Sequence, residues 1–142
     1  MTAPYRGLTW DHPRGYNALA ASGGDLIAWD RHPLEAFEAR PIAEQCALYD
    51  LVVLDHPHVG EAVAADCLMP LDALFDADAL VRLGAAAIGS SFASYRYAGR
   101  HWALPLDAAT QVMACRGDMA DTPETWDAVI ALAERAPVAL SL

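Results

Sequence analysis

Carboxylates next to aromatic or imidazole side chains follow three apolar runs in this 142-residue chain, namely Trp10-Asp11-His12, Trp29-Asp30-Arg31 and Asp55-His56. An indole face stacks on sugar C–H groups or on cations, and a carboxylate accepts hydrogen bonds from ligand hydroxyls. If the three runs are parallel strands, their carboxyl ends lie at one edge of a sheet, where α/β proteins bind ligands. The pattern therefore predicts a cleft for a small polar molecule. The predicted ligand-binding residues are Trp10, Asp11, His12, Asp55 and His56.

Two of these residues also have a structural interpretation that involves no ligand. Trp10 fits the edge of a core, and Asp11 fits a cap for the turn that follows it. Trp29 fits either interpretation. We predict that Trp102 and Trp126 are packing residues.

The segment Asp55-His56-Pro57-His58 raises a second kind of chemistry. Imidazole and carboxylate groups are zinc ligands, so an alternative function is a metal-assisted hydrolase built on Asp55, His56 and His58. His58 is equally explained as part of a turn that ends the strand. The sequence has no HExxH, GxSxG or glycine-rich phosphate motif, and we predict neither a catalytic residue nor a cofactor or metal.

The composition limits the class of partner. The chain has 19 acidic and 9 basic residues and a net charge of -10, which disfavours binding to nucleic acid or to an anionic membrane surface. A neutral, zwitterionic or cationic molecule is easier to accommodate. The three cysteines, Cys46, Cys67 and Cys115, lack CxxC spacing, so we interpret them as thiols that pack like small hydrophobes.

The order of predicted elements indicates an α/β fold with a mainly parallel sheet flanked by helices. Strands are predicted at residues 6–10, 25–30 and 49–55. Helices are predicted between and after them at residues 15–22, 34–48 with a break at Pro41, and 61–65. Further predicted elements are helices at 71–75 and 77–83, a hairpin at 94–102 and a strand at 111–116. A last helix has Thr122 as N-cap and an apolar face containing Trp126 and Ile130, and a strand begins at Val138.

Four segments resemble family-1 extracellular solute-binding proteins of ABC importers. In chain order they are YRGLTWDHPRGYNAL, YDLVVLDHPHVGEAVAADCLMPLD, SYRYAGRHWALPLDAATQVMACR and TPETWDAVIALAER. The resemblance implies a periplasmic-binding-protein-like fold whose two lobes close around a small polar solute, such as a sugar or polyol, without covalent chemistry. It also implies an ABC permease as the membrane partner of the full-length receptor.

The same resemblance implies where the lobes lie along the chain. Residues 1–106 correspond to the first lobe, and residues 107–142 to the crossover and the beginning of a truncated second lobe. Asp107 and Gln111 lie at that crossover as ligand-binding candidates, although a hinge that only turns the chain also explains them.

The sequence departs from the family in three respects. The segment from Arg14 to Gly24 is short for the family's helix, no signal peptide or lipobox cysteine is recognisable near the start, and family members are much longer. We therefore expect an amino-terminal part of a receptor, periplasmic by resemblance but cytoplasmic if its start is genuine. A further alternative is a fragment without independent function that self-associates through an exposed lobe face.

Overall fold

The computed structural model describes residues 4–33, 40–109, 112–118 and 122–139. Backbone contacts divide the chain into two compact units, residues 1–109 and 110–142. The first unit contains a three-stranded sheet with helices between and after its strands, so the predicted α/β class is confirmed there. The described part of the second unit contains one helix.

The sheet of the first unit is parallel, as predicted. Its strands are β1 (Tyr5–Trp10), β2 (Ile27–His32) and β3 (Leu51–Val52), in the order β2-β1-β3. In the register, Trp10 is opposite His32 and Gly7 is opposite Leu51. Because all three strands run in the same direction, their carboxyl ends meet at one edge, which we call the carboxyl edge.

Strand β1 forms the centre of the core. Leu8 and Thr9 are both fully buried, with relative exposures of 0%. Since consecutive residues of a strand point to opposite faces, the sheet is covered on both sides at this position. The Thr9 hydroxyl donates a hydrogen bond of 3.2 Å to the carbonyl of Gly15, which ties the strand to the helix that follows it.

The helices of the first unit agree in most places with the sequence patterns. They are α1 (Pro13–Gly23), α2 (Ile42–Cys46), α3 (Val59–Ala64), α4 (Ala77–Ala86) and α5 (Ser91–Ser94), with 3-10 turns at Gly24–Leu26, His56–His58 and Leu71–Ala73. α1 ends at Gly24, whose positive φ of 50° favours glycine. The predicted helix after Pro41 is confirmed as α2, whereas residues 34–39 lie outside the described part of the chain.

The predicted hairpin is confirmed as β4 (Arg96–Tyr97) and β5 (Arg100–His101), an antiparallel pair. Its turn residues Ala98 and Gly99 have positive φ values of 50° and 80°. The hairpin is attached to the turn at Leu71–Ala73, because the Asp72 carboxylate accepts a hydrogen bond of 2.7 Å from the backbone N–H of His101.

Two predicted strands are wrong in extent or in kind. β3 pairs only through Leu51 and Val52, and Leu51 is 41% exposed, so the predicted strand 49–55 is neither as long nor as covered as expected. The chain leaves the sheet because it enters the turn at His56–His58. Residues 112–116 form no strand, because no described segment lies beside them as a pairing strand. Val112 in this segment is 81% exposed.

The helix of the second unit, α6 (Trp126–Ala133), begins later than predicted. Its N-cap is Thr125, whose hydroxyl accepts a hydrogen bond of 3.2 Å from the N–H of Ala128, and not Thr122. Trp126 and Ile130 are 69% and 62% exposed, so no described residue covers the apolar face on which Trp126 was expected to pack. Residues 138–139 form no strand, and residues 140–142 lie outside the described part.

Candidate functional site

Trp10 is the last residue of β1 and lies at the carboxyl edge. Its indole rests on the backbone of α1, because a Cβ atom added to Gly15 would lie 2.5 Å from Trp10 Cε3. A side chain at position 15 would push the indole away. Trp10 is half-buried, so part of the ring remains accessible at the edge. An accessible indole of this kind offers a stacking surface to a ligand.

His12 caps the helix that follows. Its backbone is extended, and its Nδ1 atom accepts a hydrogen bond of 3.2 Å from the N–H of Arg14. A ring nitrogen that accepts must be unprotonated, so the neutral ring carries its hydrogen on Nε2. Since His12 is exposed, Nε2–H is a donor at the carboxyl edge. The cap that the sequence suggested for Asp11 is therefore provided by His12.

Asp11 instead joins the ends of β1 and β2. Its backbone N–H donates to the carbonyl of His32 at 2.8 Å, and its carboxylate lies 3.3 Å from the guanidinium of Arg31. The guanidinium of Arg31 also lies over the ring of Tyr16, 4.3 Å from its centroid. The Asp11 side chain is 57% exposed, so carboxylate lone pairs remain open to a ligand hydroxyl.

Asp107 is far from β1 in sequence but is connected to the start of α1. Its Oδ2 atom lies 3.4 Å from Nε of Arg14, and its Oδ1 atom accepts a hydrogen bond of 2.9 Å from the N–H of Ala108. Arg14 follows the capping residue His12 by two positions, so this ion pair brings Asp107 to the carboxyl edge. Gln111, the other residue predicted at the crossover, lies outside the described residues.

Asp55 and His56 form a second polar group after β3. Asp55 precedes the turn at His56–His58, and the ring of His56 lies edge-on to that of Tyr95, with 5.9 Å between centroids and 71° between planes. Burial raises the pKa of Tyr95 above its ordinary value, and the negative charge of Asp55 raises it further. A carboxylate, an imidazole and a phenol therefore lie together beyond the end of this strand.

The group Trp29-Asp30-Arg31 is not at a strand end, in contrast to the prediction. β2 continues to His32, so Trp29 and Asp30 lie within the strand. The Asp30 carboxylate accepts hydrogen bonds from Arg6 at 2.8 Å and from the Tyr49 hydroxyl at 3.0 Å. These bonds, chiefly that from Arg6, lower the pKa of Asp30. Asp30 thus links the sheet to the chain before β3.

Trp29 packs inside the first unit. A Cβ atom added to Gly7 would lie 2.4 Å from Trp29 Cε3, so the indole lies directly on the backbone of β1. Its Nε1 atom is buried and has no hydrogen-bond acceptor among the described residues. Both facts favour the packing interpretation of Trp29 over the ligand-binding one.

The two histidines of the hypothetical metal site have different neighbours. His58 Nδ1 lies 3.8 Å from a carboxylate oxygen of Glu61, whereas His56 lies against Tyr95. Across residues 4–33, 40–109, 112–118 and 122–139, no three His, Cys, Asp or Glu side chains are gathered as a metal site would require. The metal-assisted hydrolase therefore gains no set of ligands from the structure.

From the sequence, Arg14 and Tyr95 were assigned to neither group, and Arg31 was named only together with Trp29 and Asp30. Each arginine pairs with a carboxylate that is distant in sequence, Arg14 with Asp107 and Arg31 with Asp11. Tyr95 precedes the hairpin in sequence. For Arg14 the sequence does contain a local signal. Arg14 follows the capping residue His12 by two positions, and it therefore lies close to the end of β1. No local pattern connects Tyr95 with His56.

The first unit has a parallel α/β sheet flanked by helices, and proteins with such sheets bind ligands at the carboxyl ends of the strands. The family model of the bacterial extracellular solute-binding proteins matches residues 42–141. The chain therefore belongs to the bacterial extracellular solute-binding protein family, which confirms the resemblance seen in its sequence. A search among curated proteins finds no match to it. None of the helices in the described ranges is long and apolar enough to cross a membrane.

Proposed function

We propose that this chain contributes one wall of a cleft that captures a small polyhydroxylated or zwitterionic solute for an ABC importer. The wall is the carboxyl edge, with Trp10, Asp11, His12 and Asp107 as its ligand-binding residues. Family membership supports a solute-binding role in general, and the geometry of the edge supports this choice of residues. The solute is bound and released without covalent change.

The ion pair between Arg14 and Asp107 is the observation that carries the proposal. It holds a carboxylate from the predicted crossover beside the start of α1, within the same unit as Trp10 and His12. Such an arrangement combines a stacking surface, an imidazole N–H donor and carboxylate acceptors. A polyol or sugar presents C–H faces for the indole and hydroxyl groups for the polar atoms.

The charges of the edge favour a ligand without net negative charge. Asp11 pairs with Arg31, and Asp107 pairs with Arg14, so each carboxylate already has a cationic partner. The chain as a whole carries a net charge of -10, which opposes the approach of an anion. Hydroxyl groups, by contrast, bind to the free lone pairs of carboxylates without displacing the arginines.

We assign residues 1–106 to the first lobe and residues 107–142 to the crossover and the beginning of the second. The change of compact unit after residue 109 supports a crossover near this position. Asp107 is close to that change in the sequence. Asp55, His56 and Gln111 complete the proposed set, the first two beside Tyr95.

A ligand screen tests the proposal. Purified chain is heated with individual monosaccharides, polyols and amino acids while its thermal unfolding is followed. A ligand that binds only the native state raises the midpoint in a concentration-dependent manner. We expect at least one neutral or zwitterionic solute to do so, and no consumption of that solute during prolonged incubation. A chain that responds to none of these compounds would count against the proposal.

Matched variants then locate the site. Asp11→Asn and Asp107→Asn remove a carboxylate from the edge and should each weaken solute binding about tenfold, the effect of losing one hydrogen bond to a charged acceptor. Asp25→Asn removes a carboxylate from the turn that precedes β2, at the opposite edge of the sheet, and should leave the affinity unchanged. Equal weakening by all three variants would contradict the assignment of the carboxyl edge.

A further inference from the structure

Arg31 lies near the end of β2, on the face of the sheet that carries α1. In the register it is opposite Thr9 of β1, and side chains of paired residues point to the same face. Thr9 faces α1, because its hydroxyl donates to the carbonyl of Gly15. Tyr16 is the next residue, in the first turn of α1, where its N–H donates to the carbonyl of His12 at 3.0 Å. The backbone therefore brings Arg31 and Tyr16 together beside the end of β1.

Two contacts fix the guanidinium group of Arg31. Its central carbon lies over the ring of Tyr16, 4.3 Å from the centroid, where the face of an aromatic ring attracts a cation. Its Nη1 atom lies 3.3 Å from Oδ1 of Asp11. The ring supports one face of the guanidinium, and the carboxylate lies beside one of its nitrogens. A long side chain that is held in this way loses less rotamer freedom when it binds a ligand.

Arg31 keeps donors for a further acceptor. A guanidinium has five N–H groups, and among the described residues its one ion pair, with Asp11, is made through Nη1. Stacking on Tyr16 uses a face of the group and leaves the N–H groups of Nη2 and Nε in its plane. The Arg31 side chain is 49% exposed, so a solute at the carboxyl edge can reach these donors.

We propose that Arg31 is a further solute-binding residue of the carboxyl edge and that Tyr16 positions it, an inference that rests on the proposed function. Arg31 donates hydrogen bonds to an acceptor oxygen of the solute. The neighbouring Asp11 accepts a hydrogen bond from a donor group of the same solute. The pair thus recognises a donor and an acceptor that are adjacent, as two hydroxyl groups are in a polyol and as ammonium and carboxylate are in an amino acid.

The position of the guanidinium is tested first, without any solute. Protons above the face of an aromatic ring resonate at higher field, so the Arg31 Nε–H signal should be displaced upfield in an NMR spectrum of the full chain. Its loss in Arg31→Lys assigns this signal. The displacement should persist in Tyr16→Phe, which keeps the ring, and disappear in Tyr16→Leu. An undisplaced Arg31 signal in the wild type would refute the positioning role of Tyr16.

The binding role is tested by calorimetric titration with glucose and inositol, which offer hydroxyl oxygens, with glycine, which offers a carboxylate, and with every other compound that the screen identifies. Arg31→Lys keeps the charge but not the planar fork of donors, and it should weaken binding about tenfold. Tyr16→Leu should weaken it several-fold, and Tyr16→Phe should retain the wild-type affinity.

Two controls match these changes at residues that are not among those proposed to bind or position the solute. Arg82→Lys makes the same exchange in α4, and Tyr5→Leu removes a ring at the start of β1, the end opposite to the carboxyl edge. Both should bind like the wild type. A solute that binds the wild type and Arg31→Lys equally would overturn this inference alone, whereas a wild type that binds no compound would overturn the proposed function together with it.

Discussion

Two glycines allow indole rings to lie directly against the backbone of the first unit. The ring of Trp29 covers Gly7 in β1, and the ring of Trp10 covers Gly15 in α1. In each case a Cβ atom on the glycine would lie closer to the ring than 3 Å. The absence of a side chain therefore fixes where each tryptophan lies, and through Trp10 it also shapes the carboxyl edge.

We expect Gly7→Ala to destabilise the first unit by about 1–3 kcal/mol, because the new methyl group forces Trp29 out of its position. Gly60→Ala is the matched control, since a Cβ atom there would meet Tyr97 at an ordinary 3.8 Å. That substitution should be neutral or slightly stabilising within α3. Chemical denaturation of the two variants and the wild type gives both values. Equal stability of Gly7→Ala and the wild type would be inconsistent with the packing of Trp29.

Arg14 has a positioning role in the proposed site, because it contacts Asp107 and its N–H is bonded by His12. Its side chain is 60% exposed, and an exposed ion pair contributes less than about 1 kcal/mol to stability. Arg14→Gln should therefore change the unfolding midpoint little. It should nevertheless weaken solute binding several-fold, since the Asp107 carboxylate is no longer held at the edge.

Arg116→Gln is the control for that variant. It removes the ion pair between Arg116 and Asp118, an exposed pair of 2.6 Å whose residues are not among those proposed to bind the solute. Calorimetric titration with a solute from the screen should give wild-type affinity for Arg116→Gln and reduced affinity for Arg14→Gln. The same affinity in both variants would show that Arg14 does not position Asp107 for solute binding.

At the scale of single elements, the sequence was most informative where the signal is local. The hairpin depends on a turn at Ala98 and Gly99, and α1 ends at a glycine with positive φ, so both were predicted. β3 was predicted too long because its length depends on how far β1 can pair with it, which no local pattern contains. The contact of Arg14 with Asp107 likewise depends on the folded chain, so the sequence could name the carboxylate but not its partner.

The cap of α6 offers a direct test of element boundaries. Thr125→Ala should lower the stability of the helix by about 1 kcal/mol, because it removes the acceptor for the N–H of Ala128. Thr122→Ala should have almost no effect, since the helix begins after Thr125. Hydrogen exchange at the Ala128 amide measures both. Faster exchange in Thr122→Ala alone would restore the boundary predicted from the sequence.

The hairpin should loosen in acid because of Asp72. The backbone N–H of His101 donates a hydrogen bond to the Asp72 carboxylate, and this bond is the main cause of the lowered pKa of Asp72. A carboxyl group whose pKa is lowered by folding stabilises the native state above its unfolded pKa of about 4, and this stabilisation is lost as the pH falls through the folded pKa. Asp72→Asn should remove this part of the acid dependence of unfolding, whereas Asp25→Asn should retain it.

For the whole molecule, the alternation of strands and helices was sufficient to predict a parallel α/β sheet. Parallel strands need crossover connections, so a chain that reads strand, helix, strand has few alternatives. The order β2-β1-β3 was not predicted, because each apolar run fits any position in such a sheet. That order makes β1 the central strand and brings the ends of β2 and β3 to either side of Trp10.

The proposed cleft is tested most directly by the indole N–H resonances of the four tryptophans during titration with a solute from the screen. Trp10 lies at the carboxyl edge, Trp29 is packed on Gly7, and Trp126 is exposed on α6. We predict that the Trp10 resonance shifts in a saturable manner while that of Trp126 stays in place. A saturable shift of Trp126 with none at Trp10 would contradict the assignment of the carboxyl edge as the solute-binding wall.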